Sequence, residues 1–256
     1  MMGNELHDLF SLQGKTAVIT GASRGLGAGI AKGLAKAGAD IIGVGISDMS
    51  STQEEVERYG QTFTSIQMDI SENGRPAQLK SEVLQQVDRV DIVVNNAGII
   101  RRSAAEEYSD EDWSAVIQLN QNIVFQMCRE FGKHMIDMGG GKIINIASML
   151  SFQGGLRVPA YTASKHAVAG VTKSFANEWA SRNVCVNAIA PGYMETDNTV
   201  PIREDEQRNS FITSRIPAGR WGKPEDLQGA AIFLASPASN YVSGHILCVD
   251  GGWMST

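Results

Sequence analysis

The chain has 256 residues, 43% of them apolar, and a net charge of −6, enough for one large domain or at most two. An acidic chain with no lysine–arginine cluster lacks the footprint of a nucleic-acid binder. No apolar run reaches the roughly 20 residues that span a bilayer, so no membrane partner is expected.

From the N-terminus, Met1 to Phe10 carries Glu5 and Asp8 and lacks the basic start and apolar stretch of a signal peptide. Lys15–Thr20 is a short apolar run that predicts the first strand. Gly21-Ala-Ser23-Arg24-Gly25-Leu26-Gly27 follows at once, and Ile30, Ala31, Leu34 and Ala35 then recur at helical spacing up to Gly38. Strand, glycine turn and helix is the setting in which a glycine motif holds a pyrophosphate: the backbone approaches closely, and the helix start offers free N–H groups. The spacing is Gly-x-x-x-Gly-x-Gly rather than the commoner GxGxxG.

Asp40–Ile46 predicts a second strand. At its end an acid would ordinarily accept from the adenosine ribose hydroxyls. Gly45 stands there instead, which removes a repulsion against a 2′-phosphate, and Arg24 is placed to reach one. These residues permit NADP(H) without excluding NAD(H). A short helix over Glu54–Tyr59 and a third strand over Thr62–Met68 come next. Asp69-Ile70 is placed to meet an adenine ring, although Asp69 serves equally as a cap on the following turn. A helix over Ala77–Val87 and a strand over Arg89–Val94 lead to Asn95-Asn96-Ala97-Gly98.

Beyond a polar loop with Arg101 and Arg102, Glu107–Met138 reads as largely helical. Lys142–Ala147 predicts the fifth strand and delivers Ser148. A glycine-rich loop with Gln153 and Arg157 leads to a helix that carries Tyr161 and runs to about Ser181. Val184–Ile189 predicts the sixth strand, followed by Pro191-Gly192. Val200–Ile216 is the most charged segment, read as a solvated helix face or a lid. A helix over Pro224–Ala235 and a strand over His245–Val249 complete the chain. Alternating strands and helices, with no linker or composition shift, predict one α/β domain over residues 1–256, a doubly wound parallel sheet. Cys128, Cys185 and Cys248 are scattered without a CxxC, which fits reduced thiols in the cytoplasm. The four histidines lack paired ligand spacing, so no metal site is expected.

Sites on such sheets lie beyond the carboxyl ends of the strands. Asn95, Ser148 and Pro191 fall just past predicted strand ends, and Tyr161 returns from a short loop. Tyr161 and Lys165, four apart, share a helix face. A nearby ammonium favours a phenolate, so Lys165 is expected to lower the Tyr161 pKa and fit it for acid–base work. Ser148 is expected to donate to the substrate oxygen.

Together, Thr20-Gly21 to Gly27, Asn95 to Gly98, Ser148, Tyr161-x-x-x-Lys165 and Pro191-Gly192-x-x-x-Thr196 resemble the short-chain dehydrogenase/reductases. The resemblance implies a Rossmann sheet of seven parallel strands and a homotetramer. It implies that Asn120 anchors the water of a proton relay to Lys165, and that Lys165 holds the nicotinamide ribose. It also places Gly21 to Gly27, Ala97, Gly98, Met194 and Thr196 on the cofactor. The stretches Asn145–Pro159, Asn187–Met194 and Arg215–Gly222 resemble the sugar-acid dehydrogenases of that family. This implies interconversion of 2,5-diketo-3-deoxygluconate and 2-keto-3-deoxy-D-gluconate in the breakdown of uronates from pectin-type polysaccharides, with NAD(H) favoured. A sugar-acid carboxylate wants an arginine fork, for which Arg102 and Arg157 are the first candidates and Arg101 and Arg215 the reserves. Gln153 is a hydroxyl partner on the same loop, while Trp221 is expected at an interface. The rivals are a gluconate 5-dehydrogenase, a 3-oxoacyl-carrier-protein reductase, or a cofactor-binding regulator without catalysis.

Overall fold

The computed structural model describes residues 2–255, with side chains from Glu5 onward. Seven strands form one sheet in the order β3-β2-β1-β4-β5-β6-β7. They are β1 (Thr16–Thr20), β2 (Asp40–Gly45), β3 (Phe63–Gln67), β4 (Ile92–Asn95), β5 (Gly141–Ile146), β6 (Val184–Pro191) and β7 (Ile246–Val249). All pairings are parallel. Parallel strands need crossovers, and the helices that supply them cover both faces. The helices are α1 (Met2–Phe10), α2 (Gly25–Lys36), α3 (Ser50–Glu57), α4 (Arg75–Val83), α5 (Asp110–Ile117), α6 (Ile123–Asp137), α7 (Pro159–Trp179), α8 (Val200–Arg203), α9 (Glu206–Arg215) and α10 (Gln228–Ala235).

Strand alternation sorts the core into two layers. Val18, Val93 and Ile143 join Met127 and Phe131 of α6 and Val168 of α7 on one face. Ala17, Ile19, Ile92, Val94 and Ile144 join Ile30 and Leu34 of α2 and Leu234 of α10 on the other. On that second face α2 and α10 approach closely because α2 presents glycines. A Cβ on Gly33 would stand 2.8 Å from the Gln228 side chain, and the Gln228 amide donates to the Gly29 carbonyl at 3.1 Å. A third, smaller apolar cluster of Met149, Ile202, Ile212, Ile216, Trp221 and Trp253 holds α8 and α9 near the strand ends.

Four local features depart from the sequence reading. The N-terminal segment forms α1, which its charged start did not signal. Helix α3 begins at Ser50, four residues early, because the Asp48 carboxylate accepts from Ser50 N at 3.3 Å and Ser50 Oγ at 2.7 Å and fixes the first turn. The long helix expected over Glu107–Met138 is α5 and α6 joined by a π-turn at Gln118–Asn122, an extra residue of backbone that reorients Asn120. Trp221, expected at an interface, is buried within its own chain, its indole donating to Asn209 Oδ1 at 2.9 Å. Among the described residues no helix is long and apolar enough to cross a membrane.

Candidate active site

The order of strands reverses between β1 and β4, and a cavity of about 1160 Å³ opens there at the carboxyl ends of the sheet, larger than the roughly 300–1,000 Å³ of ordinary small-ligand pockets. Each strand from β1 to β6 contributes to it: Gly21, then Gly45 to Ser47, Met68 to Ile70, Asn96 to Gly98, Ala147 with Ser148, and Pro191 with Gly192.

The glycine turn is shaped for an anionic group. Gly21 and Gly25 have φ of 68° and 57°, the left-handed region that glycine enters without cost. Arg24 caps α2 with no side-chain hydrogen bond, so the first N–H groups of a 12-residue helix face the cavity. Ser23, Arg24, Gly25 and Leu26 line the cavity with Gly21. Gly27 does not; it packs beneath the turn, where a Cβ would strike the Gly21 carbonyl. At the end of β2 a Cβ on Gly45 would meet nothing within 4 Å. The space, the bare helix start and the glycine cradle fit a dinucleotide. Arg24 forms an exposed ion pair with Asp197 at 3.2 Å, across the mouth between the glycine turn and the segment after β6. Asp69 caps the next turn, accepting from Ser71 N at 2.9 Å, and still lines the cavity with Ile70.

Asn95 departs from expectation. Strand alternation turns it into the α6 face, in register with Asn145. Its amide donates to Asn145 Oδ1 at 2.8 Å, and Asn145 donates in turn to Thr172 Oγ1 at 2.9 Å. Asn95 is a buried tie between strands and helices, while its neighbours Asn96, Ala97 and Gly98 line the cavity.

Asn120 is buried in the π-turn rather than on the cavity wall. Its Oδ1 accepts from Ile99 N at 2.9 Å and its Nδ2 donates to Ile99 O at 2.8 Å. That clamp fixes the loop after β4, which lines the cavity.

Ser148, Tyr161 and Lys165 come together. Ser148 stands close enough to Tyr161 to favour its charged form. Lys165 Nζ lies 5.5 Å from the Tyr161 ring centre and donates to Ile146 O at 2.6 Å. Ser151 Oγ donates to Lys165 O at 2.6 Å and ties α7 to the turn that carries Ser148. The electrostatics differ from the sequence expectation. Burial raises the Tyr161 pKa, opposed by neighbouring Ser148 and by the charge of Arg102. Burial also lowers the Lys165 pKa, to about 8. Desolvation outweighs the attraction that spacing alone suggested, because both groups sit in the wall and the amine points at a backbone carbonyl.

Seven cationic side chains line the cavity, Arg24, Arg101, Arg102, Arg157, Lys165, Arg208 and Arg215, against the two acids Asp69 and Asp197. That balance reverses the net charge of −6 carried by the chain and selects anionic ligands. Arg157 takes φ 63°, a conformation rare for a residue with a side chain, at the end of the loop that also brings Gln153 to the cavity. Pro191, Gly192, Met194 and Thr196 form the wall after β6. Arg208, Phe211 and Ile212 of α9 join this lining. Sequence reading gave their segment as a solvated face or a lid; the isoleucines spaced among its charges were the available signal.

Residues 21–254 match the family model described as enoyl-(acyl carrier protein) reductase. The chain belongs to the short-chain dehydrogenase/reductase family. It is an oxidoreductase with a single α/β domain. It is 58% identical over 253 residues to the 2-dehydro-3-deoxy-D-gluconate 5-dehydrogenase of Bacillus subtilis, covering 98% of each chain. The enzyme of the same name from Escherichia coli is 56% identical over 248 residues, covering 96% of this chain and 98% of the relative. Among solved structures, a gluconate 5-dehydrogenase from Burkholderia cenocepacia in complex with NADP and tartrate superposes with a TM-score of 0.94 at 38% identity, covering 98% of this chain and 99% of that one.

Proposed function

We propose that this dehydrogenase/reductase interconverts 2,5-diketo-3-deoxygluconate and 2-keto-3-deoxy-D-gluconate, a step in uronate breakdown, and that residues 1–256 act as one dinucleotide-binding and catalytic domain. The observation that carries this reading is the excess of cations in the cavity that Ser148 and Tyr161 line. The identity with relatives named for that activity supports it.

When bound, the nicotinamide supplies or accepts the hydride. Tyr161 gives its phenolic proton to the substrate oxygen during reduction and takes it back during oxidation. Ser148 donates to the same oxygen and steadies its developing charge. Lys165 holds the nicotinamide ribose, and Asn120 keeps the adjoining loop in place for the proton relay. Gly21, Ser23, Gly25 and Leu26 hold the phosphates. Asp69 and Ile70 flank the adenine, with Ala97 and Gly98 on the adenosine side. Pro191, Gly192, Met194 and Thr196 flank the nicotinamide. Arg102 and Arg157 take the carboxylate and Gln153 a hydroxyl. Gly27 and Asn95 serve the cofactor site through packing.

NAD(H) is the proposed working cofactor, with NADP(H) admitted through Arg24 and the open space at Gly45. Neighbouring family structures hold NADP. The exposed Phe125, stacked on Phe175 and through it on Trp179, supports a homotetramer through the α6–α7 face. The cytoplasm is the proposed compartment.

The decisive assay is a panel of uronate-derived diketo acids, aldonates and acyl thioesters with both nicotinamides. Turnover of the diketo acid at least tenfold above the rest is expected; faster reduction of the thioester would replace this reading with an acyl reductase.

A further inference from the structure

We infer that Arg208, on α9, joins Arg102 in a clamp on the substrate carboxylate, with Arg157 assisting from the exposed rim of the cavity. The inference rests on the sugar-acid reading above and assigns the acid end of the substrate to a residue outside the motifs.

The two arginines line one cavity from different elements. Arg102 stands on the loop after β4, the loop held by Asn120, and its guanidinium donates to Asn198 O at 3.2 Å. Asn198 lies at the root of the α8–α9 lid. Arg208 is in the first turn of α9, where its backbone N–H donates to the capping Asp205 carboxylate at 3.0 Å. Both line the cavity. Burial and then the charge of Arg208 lower the Arg102 pKa, while the phenol of Tyr161 raises it. Arg102 therefore stands within electrostatic reach of both Arg208 and the proton-carrying phenol.

Four of the other five cations of the cavity are engaged, and the fifth, Arg157, is exposed at its rim. Arg24 is paired with Asp197 at 3.2 Å and Arg101 with Asp112 at 3.3 Å. Arg215 lies 4.2 Å over the Trp253 ring, and Lys165 is bonded to Ile146 O. Among the described residues neither Arg102 nor Arg208 has an acidic partner within 4.0 Å. Two like charges lining one cavity without an acidic partner form a site for an anion. A carboxylate matches the planar fork of each guanidinium.

One arm is on the body and the other on the lid, so a bound carboxylate links α9 to the loop after β4. The acid thereby closes its own lid and seats the reacting carbon beside Tyr161 and Ser148. An alditol of the same length leaves the two cations unneutralised and the lid without its tie, which is discrimination against neutral substrates.

The test uses the cofactor-loaded enzyme with D-gluconate and D-sorbitol, which share a carbon chain and differ in the carboxylate. Binding is read by calorimetry and turnover by nicotinamide absorbance. Arg208→Ala is expected to weaken gluconate binding about 10- to 100-fold, the scale of a lost charge-assisted hydrogen bond, and to change sorbitol binding less than about 3-fold. Arg208→Lys should fall between, because it keeps the charge and loses the fork. Combining Arg102→Ala with Arg208→Ala should cost less than the product of the single losses, since the two act on one group. Unchanged gluconate binding in Arg208→Ala, or equal weakening of gluconate and sorbitol, overturns the clamp. So does a wild-type enzyme that binds the two equally. Should the wild type bind gluconate in an Arg208-dependent manner yet turn over no sugar acid, the clamp stands and the substrate reading above falls. An unchanged unfolding temperature in Arg208→Lys separates these effects from misfolding.

Discussion

The glycine-turn side of the cavity and the α8–α9 side are built in opposite ways. Helix α2 buries Ile30, Ala31, Leu34 and Ala35 and meets α10 through glycines, so the wall that would hold the cofactor is part of the main core. Helices α8 and α9 each bury one residue, Ile202 and Ile212, in a satellite cluster, and α9 is otherwise polar but for the exposed Phe211. A wall of the first kind moves only if the sheet moves. A wall of the second kind can open at little cost in global stability. On the proposed function, the group shared by many reactions would thus be held rigidly and the part that distinguishes substrates left adjustable.

Tyr161 stands where the two walls meet, and the largest effect is expected there. Tyr161→Phe should lower kcat about 10³-fold while cofactor affinity, read by fluorescence titration, moves less than about 3-fold. Wild-type-like turnover would remove the proton-carrying role. Lys165→Met should lower kcat about 10²-fold or more and yet raise stability at pH 7. The sign follows from burial. The folded-state pKa is about 8 against an ordinary 10.5, so the unfolded chain binds more protons between those values and wild-type stability rises with pH there. The variant's advantage, up to about 3 kcal/mol, is full below pH 8 and lost above about 10.5. Denaturant midpoints at pH 7 and pH 10.5 measure it; an equal difference at both would refute the buried ammonium.

Two substitutions set the walls against each other directly. Gly27→Ala drives a Cβ into the Gly21 carbonyl, which is backbone and cannot yield, and is expected to cost about 2 kcal/mol. Phe211→Ala, on a ring 61% exposed, should leave the unfolding temperature within about 2 °C while raising KM. The contrast between the walls fails if the lid variant melts first. Gly45→Asp places a carboxylate in open space at the end of β2 and should weaken NADP(H) about tenfold or more with little effect on NAD(H). Arg24→Ala should shift the same selectivity less, and an equal response of both cofactors would show that Arg24 does not read the phosphate. The smallest change is expected of Arg157→Ala, about 5-fold in KM for the sugar acid and none for an uncharged ketone, because this arginine is exposed at the cavity rim.

The sheet was legible because its strands are short apolar runs closed by turn residues, and period and turn chemistry decide such segments. Ser148, Tyr161 and Lys165 were placed by spacing and strand ends alone. Asn95 was misread because a strand buried on both faces carries no polar–apolar alternation to show which way a residue points. The effect of Lys165 on Tyr161 was misjudged because spacing gives proximity but not desolvation. Arg208 and Phe211 lay in a segment whose charge resembles any solvated helix; only the packing of Ile202 and Ile212 turns its inner face to the cavity.

The π-turn at Asn120 has a consequence for engineering. Deleting one residue between Gln118 and Asn122 would leave α5 and α6 as one regular helix, locally more comfortable than the native chain. It would also rotate Asn120 away from Ile99 and free the segment on which Arg102 rides. A shortened chain of that kind would gain helical regularity and lose the aim of its arginine, so a screen for thermal robustness alone would select against the enzyme's discrimination.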